Sequence, residues 1–450
     1  MTLNTDSGSL SRGQLFCYGA LALPLSIASA SILIYLPAFY AKELGLDLGL
    51  VGLVFLLTRL WDGISDPLIG WLSDRTNLRI GRRKPWVIAG APLLMVAIWF
   101  LCMPPDDVGL AYLALWAVLF YLAYTIVIVP YWSWGAELTS DYNQRNAVTG
   151  SREIFTMLGS LILGAAPVIF LPSDAPIADV LAMLTVILLV LIPLATILLL
   201  PVSDQQPQRR SRAGIFHAFR EVVGCQLFIK FLAAFLLAYM ALGIGNSVVV
   251  FFIGDALLLQ QGLYIFIFIQ YATAIVVAPF AVRLAAVVDK HIVIICGMMF
   301  IVIAFVLWGF IPSKSVYLAA LGFGILGIGF SPFIVLPTSI LADIIDYDTA
   351  QSGEDRAGLF VAVYNFTLKV GLAAGVGFSY LYLDIVGYDP SNNAQDEMDV
   401  LWLKFIFCGV TSLLFVMAMY CLRDFPVGRA MQKALREKID NTRIATTRCS

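Results

Sequence analysis

Charge is scarce in this sequence. Only 13% of its 450 residues are Asp, Glu, Lys or Arg, about half the share of a soluble domain. The 28 basic and 30 acidic residues leave a net charge of -2. No cationic excess is available to neutralise a phosphate backbone, which argues against nucleic-acid binding. Histidine is nearly absent. The two present, His217 and His291, are read in short polar connections, so no His-based metal or proton site is expected. Seven cysteines are scattered without a CxxC pair, so neither a disulfide frame nor a zinc site is suggested. There is no HExxH, and no G-x-S-x-G with partners. The chain is therefore not read as an enzyme.

Apolar residues, by contrast, make up 60% of the chain, and the mean hydropathy is +0.88. A soluble fold of this size could not bury so much, which leaves a polytopic membrane protein. Apolar runs long enough to span a bilayer fall at about 13–41, 48–73, 85–104, 108–134, 148–171 and 178–201. Six more fall at about 226–254, 260–287, 291–312, 316–342, 357–387 and 400–422. The expectation is an all-α membrane protein of twelve transmembrane helices in two six-helix bundles, 1–202 and 226–423. A polar linker, 203–225, joins them, and a basic tail, 424–450, follows. With both termini placed in the cytoplasm, 21 Lys and Arg fall in inner segments, and only Lys42, Lys314 and Lys404 in outer ones. That asymmetry sets the orientation.

The halves echo each other. Helix two ends in Asp74-Arg75 and leads into Arg82-Arg83, while helix eight ends in Asp289-Lys290. An acid followed by a base at the same place suggests a duplicated six-helix unit whose charged pairs bridge helix ends. Ordinary flanking charge is the other reading.

A few charges have no topological explanation. Arg59, Asp62 and Asp66 lie in the middle of helix two at i, i+3 and i+7, on one face. Each costs about 2.5–3.5 kcal/mol at a bilayer centre unless paired, hydrated or neutralised. Two carboxylates one turn apart repel, so a proton or Na+ is needed to hold both. Asp62, Asp66 and the Ser65 hydroxyl offer oxygen ligands suited to a hard cation. Lys369, within helix eleven, balances the set. A pure ion-pair staple between helices is the alternative. Helix four carries Tyr121, Tyr124, Thr125, Pro130, Tyr131, Trp132 and Trp134, which suit either an amphipathic ligand or interfacial anchoring. Arg152, just beyond, is either a ligand contact or one more inner charge. Gly371, Gly375 and Gly377 permit close helix approach.

At these residues the chain resembles the glycoside–pentoside–hexuronide:cation symporters, the melibiose permease-like branch of the major facilitator superfamily. The stretches that carry the likeness are Arg59 to Pro67 with Gly70-Trp71, Tyr124-Thr125-Ile126 with Pro130 to Ser133, and Ala342 to Tyr347 followed by Lys369. The resemblance implies a coupling cation at Asp62 and Asp66, with Ser65 and Thr125 as neutral oxygens. It implies substrate contacts at Trp132, Arg152, Lys369, Tyr364 and Asn365, with Ser26, Arg59 and Tyr124 beside them, and inner-gate charges at Asp343, Asp346 and Arg356. Acids of that family that grip sugar hydroxyls are replaced here, by Ser26 on helix one and Ile128 on helix four. A related set moving lysophospholipids keeps the helix-two carboxylates and the helix-eleven Lys.

The expected function is H+- or Na+-coupled symport of a small polar solute, a glycoside, sugar or sugar acid, in a bacterial cytoplasmic membrane. The partners are the substrate, the coupling cation and the bilayer, with no cofactor, and the working unit is a monomer. Transport of a lysophospholipid or another amphiphile on the same scaffold is the alternative. A membrane-embedded enzyme or a non-transporting sensor is a third reading.

Overall fold

The computed structural model describes residues 10–139, 142–204, 224–259, 262–352, 356–390, 392, 395–423 and 425. Most of the expected linker and tail, with His217, lies outside them. The chain divides into two compact units, residues 1–209 and 210–450.

In the first unit α1 is Arg12–Glu43, α2 Leu48–Arg75, α3 Lys84–Cys102, α4 Leu110–Glu137, α5 Tyr142–Phe170 and α6 Ile177–Leu199. In the second α7 is Gln226–Ala256, α8 Leu263–Val287, α9 Lys290–Phe310, α10 Val316–Gln351, α11 Ala357–Ile385 and α12 Glu397–Leu422. These are the twelve expected spans. Each is long and apolar enough to cross a bilayer. No β-strand is formed among the described residues beyond an isolated bridge between Leu78 and Gly81. In lipid this is the expected outcome, because only a helix satisfies every backbone group within one segment.

The helix pairings of one unit repeat in the other. α1 packs on α5 and α6, and α4 on α2 and α3, while α3 also meets α6. Likewise α7 packs on α11 and α12, and α10 on α8 and α9, while α9 also meets α12. The first helix of each unit ends in a π turn, Phe39–Glu43 and Phe252–Ala256. The expected duplication is thus visible in packing, where sequence offered only two charged pairs.

Small residues set the closest approach. A Cβ on Gly375 of α11 would fall 2.1 Å from the Met240 carbonyl oxygen of α7. Gly371 and Gly243 also leave no room for a Cβ across the same seam. Polar ties close the helix ends. The Glu43 carboxylate accepts from the Ile177 and Ala178 amides at 2.6 and 3.0 Å, capping α6. The buried Tyr388 hydroxyl, in the loop after α11, donates to Asp255 of α7 at 2.5 Å.

Two expectations need correction. α10 does not stop at residue 342. It breaks at Leu336 and resumes as Pro337–Ser352, so Asp343 and Asp346 are helical. A helix that leaves the hydrocarbon can continue with polar residues, and hydropathy marks only where the apolar part ends. His291 is likewise not in a connection: it is buried in the first turn of α9.

Candidate functional site

α2, which carries the intramembrane charges Arg59, Asp62 and Asp66, lies beside α4 in the first unit. Helical spacing puts Asp62 and Asp66 on the α4-facing side of α2. Asp62 is 1% exposed and Asp66 half-buried. Between them stands Thr125 of α4, fully buried, with its hydroxyl 2.7 Å from Asp62 Oδ1 and 3.0 Å from Asp66 Oδ1. A hydroxyl carries one hydrogen. It can donate to one carboxylate at a time, so the other close oxygen pair sets two acceptors against each other unless a proton or a cation lies there.

Ser65 is also buried, but its hydroxyl donates to the Asp62 carbonyl at 3.1 Å, back along its own helix. Arg59 holds its Nη1 3.9 Å from Asp62 Oδ2. Its guanidinium carbon rests 4.4 Å from the centre of the Tyr121 ring on α4. This is a loose ion pair with an aromatic counterweight. Tyr124, one position before Thr125, is half-buried and stacks on Phe120 at 5.9 Å.

A second cluster joins α1, α4 and α5. Trp132 is 41% exposed, and the Arg152 guanidinium lies 5.4 Å from its ring centre. Arg152 also pairs with Glu153 at 2.9 Å. Beneath, Tyr18 and Tyr131 stack at 4.7 Å, and each hydroxyl donates to the other's backbone carbonyl at 3.1 and 2.9 Å. Gly135 makes room for the Tyr18 ring. Ser26 is placed differently. Its hydroxyl donates to the Leu23 carbonyl and fills the space over Gly159, so it packs α1 on α5. Ile128 is buried. Trp134 is buried as well, with its indole N–H on the Ser203 carbonyl at 2.8 Å, so it is not an exposed interfacial anchor.

In the second unit Lys369 and Asn365 are half-buried, one turn apart on α11. Tyr364 is 4% exposed and packs among Phe231 and Phe235 at 5.3 and 5.8 Å. Its expected substrate contact gives way to a core role, because it faces α7.

The end charges form two knots. Arg83 is wholly buried. It bonds Asp74 at 2.5 Å, Glu137 at 2.7 Å and the Ser73 hydroxyl at 2.7 Å. Arg82 shares Asp74 at 2.6 Å. Burial alone would lower the Arg83 guanidinium pKa, but Glu137 and Asp74 outweigh it and leave the group above its ordinary value. Asp204 accepts from the Arg83 and Lys84 amides at 2.7 and 3.1 Å. In the second unit Lys290 bonds Asp343 at 2.6 Å. Asp289 is the N-cap residue of α9. Arg75 is exposed and stacks on Trp71, Asp346 is half-buried on α10, and Arg356 precedes α11.

Sequence reasoning overlooked Tyr121 as the seat of Arg59, and Glu137 and Asp204 as partners of the α2–α3 turn. One signal was present: Glu137 is an acid at the end of an apolar run beside a basic loop.

The profile of a family described as MFS/sugar transport protein matches residues 17–429. The symporter YnaJ of Bacillus subtilis (strain 168) is 26% identical, over 92% of this chain and 91% of its own. The sodium-dependent lysophosphatidylcholine symporter 1-B of Danio rerio is 22% identical, over 95% and 89%. Among solved structures, the nucleoside transporter NupG superposes with a TM-score of 0.64 at 14% identity, covering 91% of this chain and 99% of that one.

Proposed function

The chain belongs to the MFS/sugar transport protein family, and on that premise we propose that this transporter is a symporter driven by one monovalent cation held at Asp62, Asp66 and Thr125. The observation that carries the reading is the single Thr125 hydroxyl within hydrogen-bond distance of both carboxylates. An H+ or Na+ between the two acids relieves their repulsion. With the cation gone, Arg59 is the nearest positive charge and can swing from Tyr121 toward Asp62. Binding the cation and then the substrate leaves no unbalanced buried charge, so the loaded protein can change the side to which its site opens. Half-loaded, it carries the cost of an uncompensated ion in a low-dielectric interior.

The substrate reading is a small polar solute, a glycoside, sugar or sugar acid; the proposed contacts are Trp132, Arg152 and Tyr124 within the first unit and Asn365 and Lys369 within the second. An exposed indole beside a guanidinium suits a sugar face with an oxygen-rich edge. The family description supports this choice. The second reading, a lysophospholipid or other amphiphile, draws on the buried Ile128 and the packed Ser26, which leave no acid at those two places. It also draws on the lysophosphatidylcholine relative. We place the protein in a bacterial cytoplasmic membrane with both termini inside, working as a monomer.

The test is gradient-driven uptake into vesicles, with thermal stabilisation across glycosides, sugar acids and single-chain lipids at varied Na+ and pH. Asp62→Asn should abolish accumulation against a gradient. Full accumulation by that variant would sink the coupling assignment. Stabilisation by lipids alone would select the second substrate reading.

A further inference from the structure

The short turn between α2 and α3 encloses a polar cavity of about 480 Å³. Asp74, Arg75, Arg79, Arg82, Lys84 and Asp204 contribute to its walls. Asp74 is engaged by Arg82 and Arg83, and Asp204 accepts two backbone amides through its Oδ2. Of the four cations on the wall, only Arg82 has an acidic partner among the described residues. Arg75, Arg79 and Lys84 make no ion pair among the described residues. The cavity therefore holds an excess of positive charge that the end knot does not consume.

The apolar surroundings say where the opposite charge resides. Trp71, Leu78 and Ile80 are 49%, 55% and 56% exposed, and Arg75 lies 3.8 Å over the Trp71 ring. A turn between two spanning helices that exposes an indole and two aliphatic side chains sits at the lipid–water boundary. Its cations are then at headgroup depth, with their stems along acyl chains and their heads toward phosphate.

We propose that the α2–α3 turn is a binding site for the phosphate of an anionic phospholipid, held by Arg75, Arg79 and Lys84. The shared chemistry is a phosphate oxyanion, and the exposed apolar rim assigns it to a membrane lipid, not to a soluble phosphate. The site is separate from Asp62, Asp66 and Thr125, and its assignment stands whether or not the transport reading does.

The experiment is lipid retention by the purified full-length protein, from an equal mixture of phosphatidylglycerol and phosphatidylcholine, read by native mass spectrometry. The wild type should retain phosphatidylglycerol preferentially, and the preference should fall between about 0.05 and about 0.5 M salt as the charges are screened. The triple variant Arg75→Gln, Arg79→Gln, Lys84→Gln should lose the preference by about fivefold for each charge removed. Its charge-matched control, Lys42→Gln, Lys314→Gln, Lys404→Gln, should keep it. The wild-type salt series needs no variant and decides the matter alone if the triple variant fails to fold. Equal retention of the two lipids by the wild type, or an equal loss in the triple variant and the control, overturns the site. Displacement of the lipid by inorganic phosphate at equal concentration overturns its assignment to a lipid.

Discussion

The guanidinium carbon of Arg59 stands 4.4 Å from the centre of the Tyr121 ring, while its nearest nitrogen is 3.9 Å from Asp62. The aromatic face thus competes with the carboxylate for the same cation. A cation–π contact contributes about 0.5–2 kcal/mol. Tyr121→Leu should free Arg59 to neutralise Asp62 and weaken the coupling cation by roughly 2- to 30-fold. Tyr121→Phe keeps the face and should change little. The readout is the Na+ or H+ concentration for half-maximal uptake; equal values for the two variants would dismiss the competition.

Thr125→Val removes the bridging hydroxyl and keeps the shape. The one carboxylate to which the hydroxyl donates then loses that hydrogen bond, at about 1–3 kcal/mol. Cation affinity should fall by about 5- to 160-fold, and Thr125→Ser should restore most of it. Cation-dependent thermal shifts of the purified variants give the comparison.

Arg83 is buried with Asp74 and Glu137. Removing one member of such a knot strands the rest, at about 3–5 kcal/mol. Arg83→Met should lower the melting temperature markedly, and Arg83→Met with Glu137→Met should recover part of the loss. Because Asp74 and Glu137 hold the guanidinium above its ordinary value, its contribution is present at all working alkaline pH. It would fade only as pH rose through that raised value. A stability loss between about pH 7 and 10 that Arg83→Met abolishes would contradict this.

Burial, and then the neighbouring Asp255, raise the Tyr388 phenol above its ordinary value. A raised phenol stabilises the fold below the unfolded value near 10, and that contribution is lost as pH climbs through the folded value. Tyr388→Phe should cost about 1–3 kcal/mol at neutral pH, by removing a buried hydrogen bond to Asp255. The variant and the wild type should converge only in strong alkali, as followed by thermal unfolding across pH.

Gly375→Ala places a methyl against the Met240 carbonyl, and overpacking of this kind costs about 1–3 kcal/mol. Gly150→Ala on α5 meets nothing within 4 Å and should be neutral or mildly stabilising. Paired melting curves separate the two.

The twelve spans were legible because each is a local property: about 20 apolar residues in a row announce themselves. Asp62 and Asp66 were legible for a related reason, since charge inside such a run is conspicuous and helical spacing puts the two on one face. Thr125 was reached only through family likeness, because nothing in its own helix says which neighbour it meets. Tyr121, Glu137 and Asp204 were missed because each acts on a residue about 50 or more positions away. Tyr364 shows the limit from the other side. Its place in the chain suggested a ligand contact, but only packing reveals that it faces Phe231 and Phe235 while Lys369, five residues on, lies on a different face of α11. The length of α10 was underestimated because hydropathy measures immersion and not helicity.

The π turns that end α1 and α7 bear on how each unit turns its chain. A π turn accommodates one residue more than the α-helix it interrupts. Both units carry that wider turn at the end of their first helix, just before the loop to the second. The carbonyl ladder is thus loosened at the same place in each unit, which redirects the chain toward the next helix with no proline inside the turn.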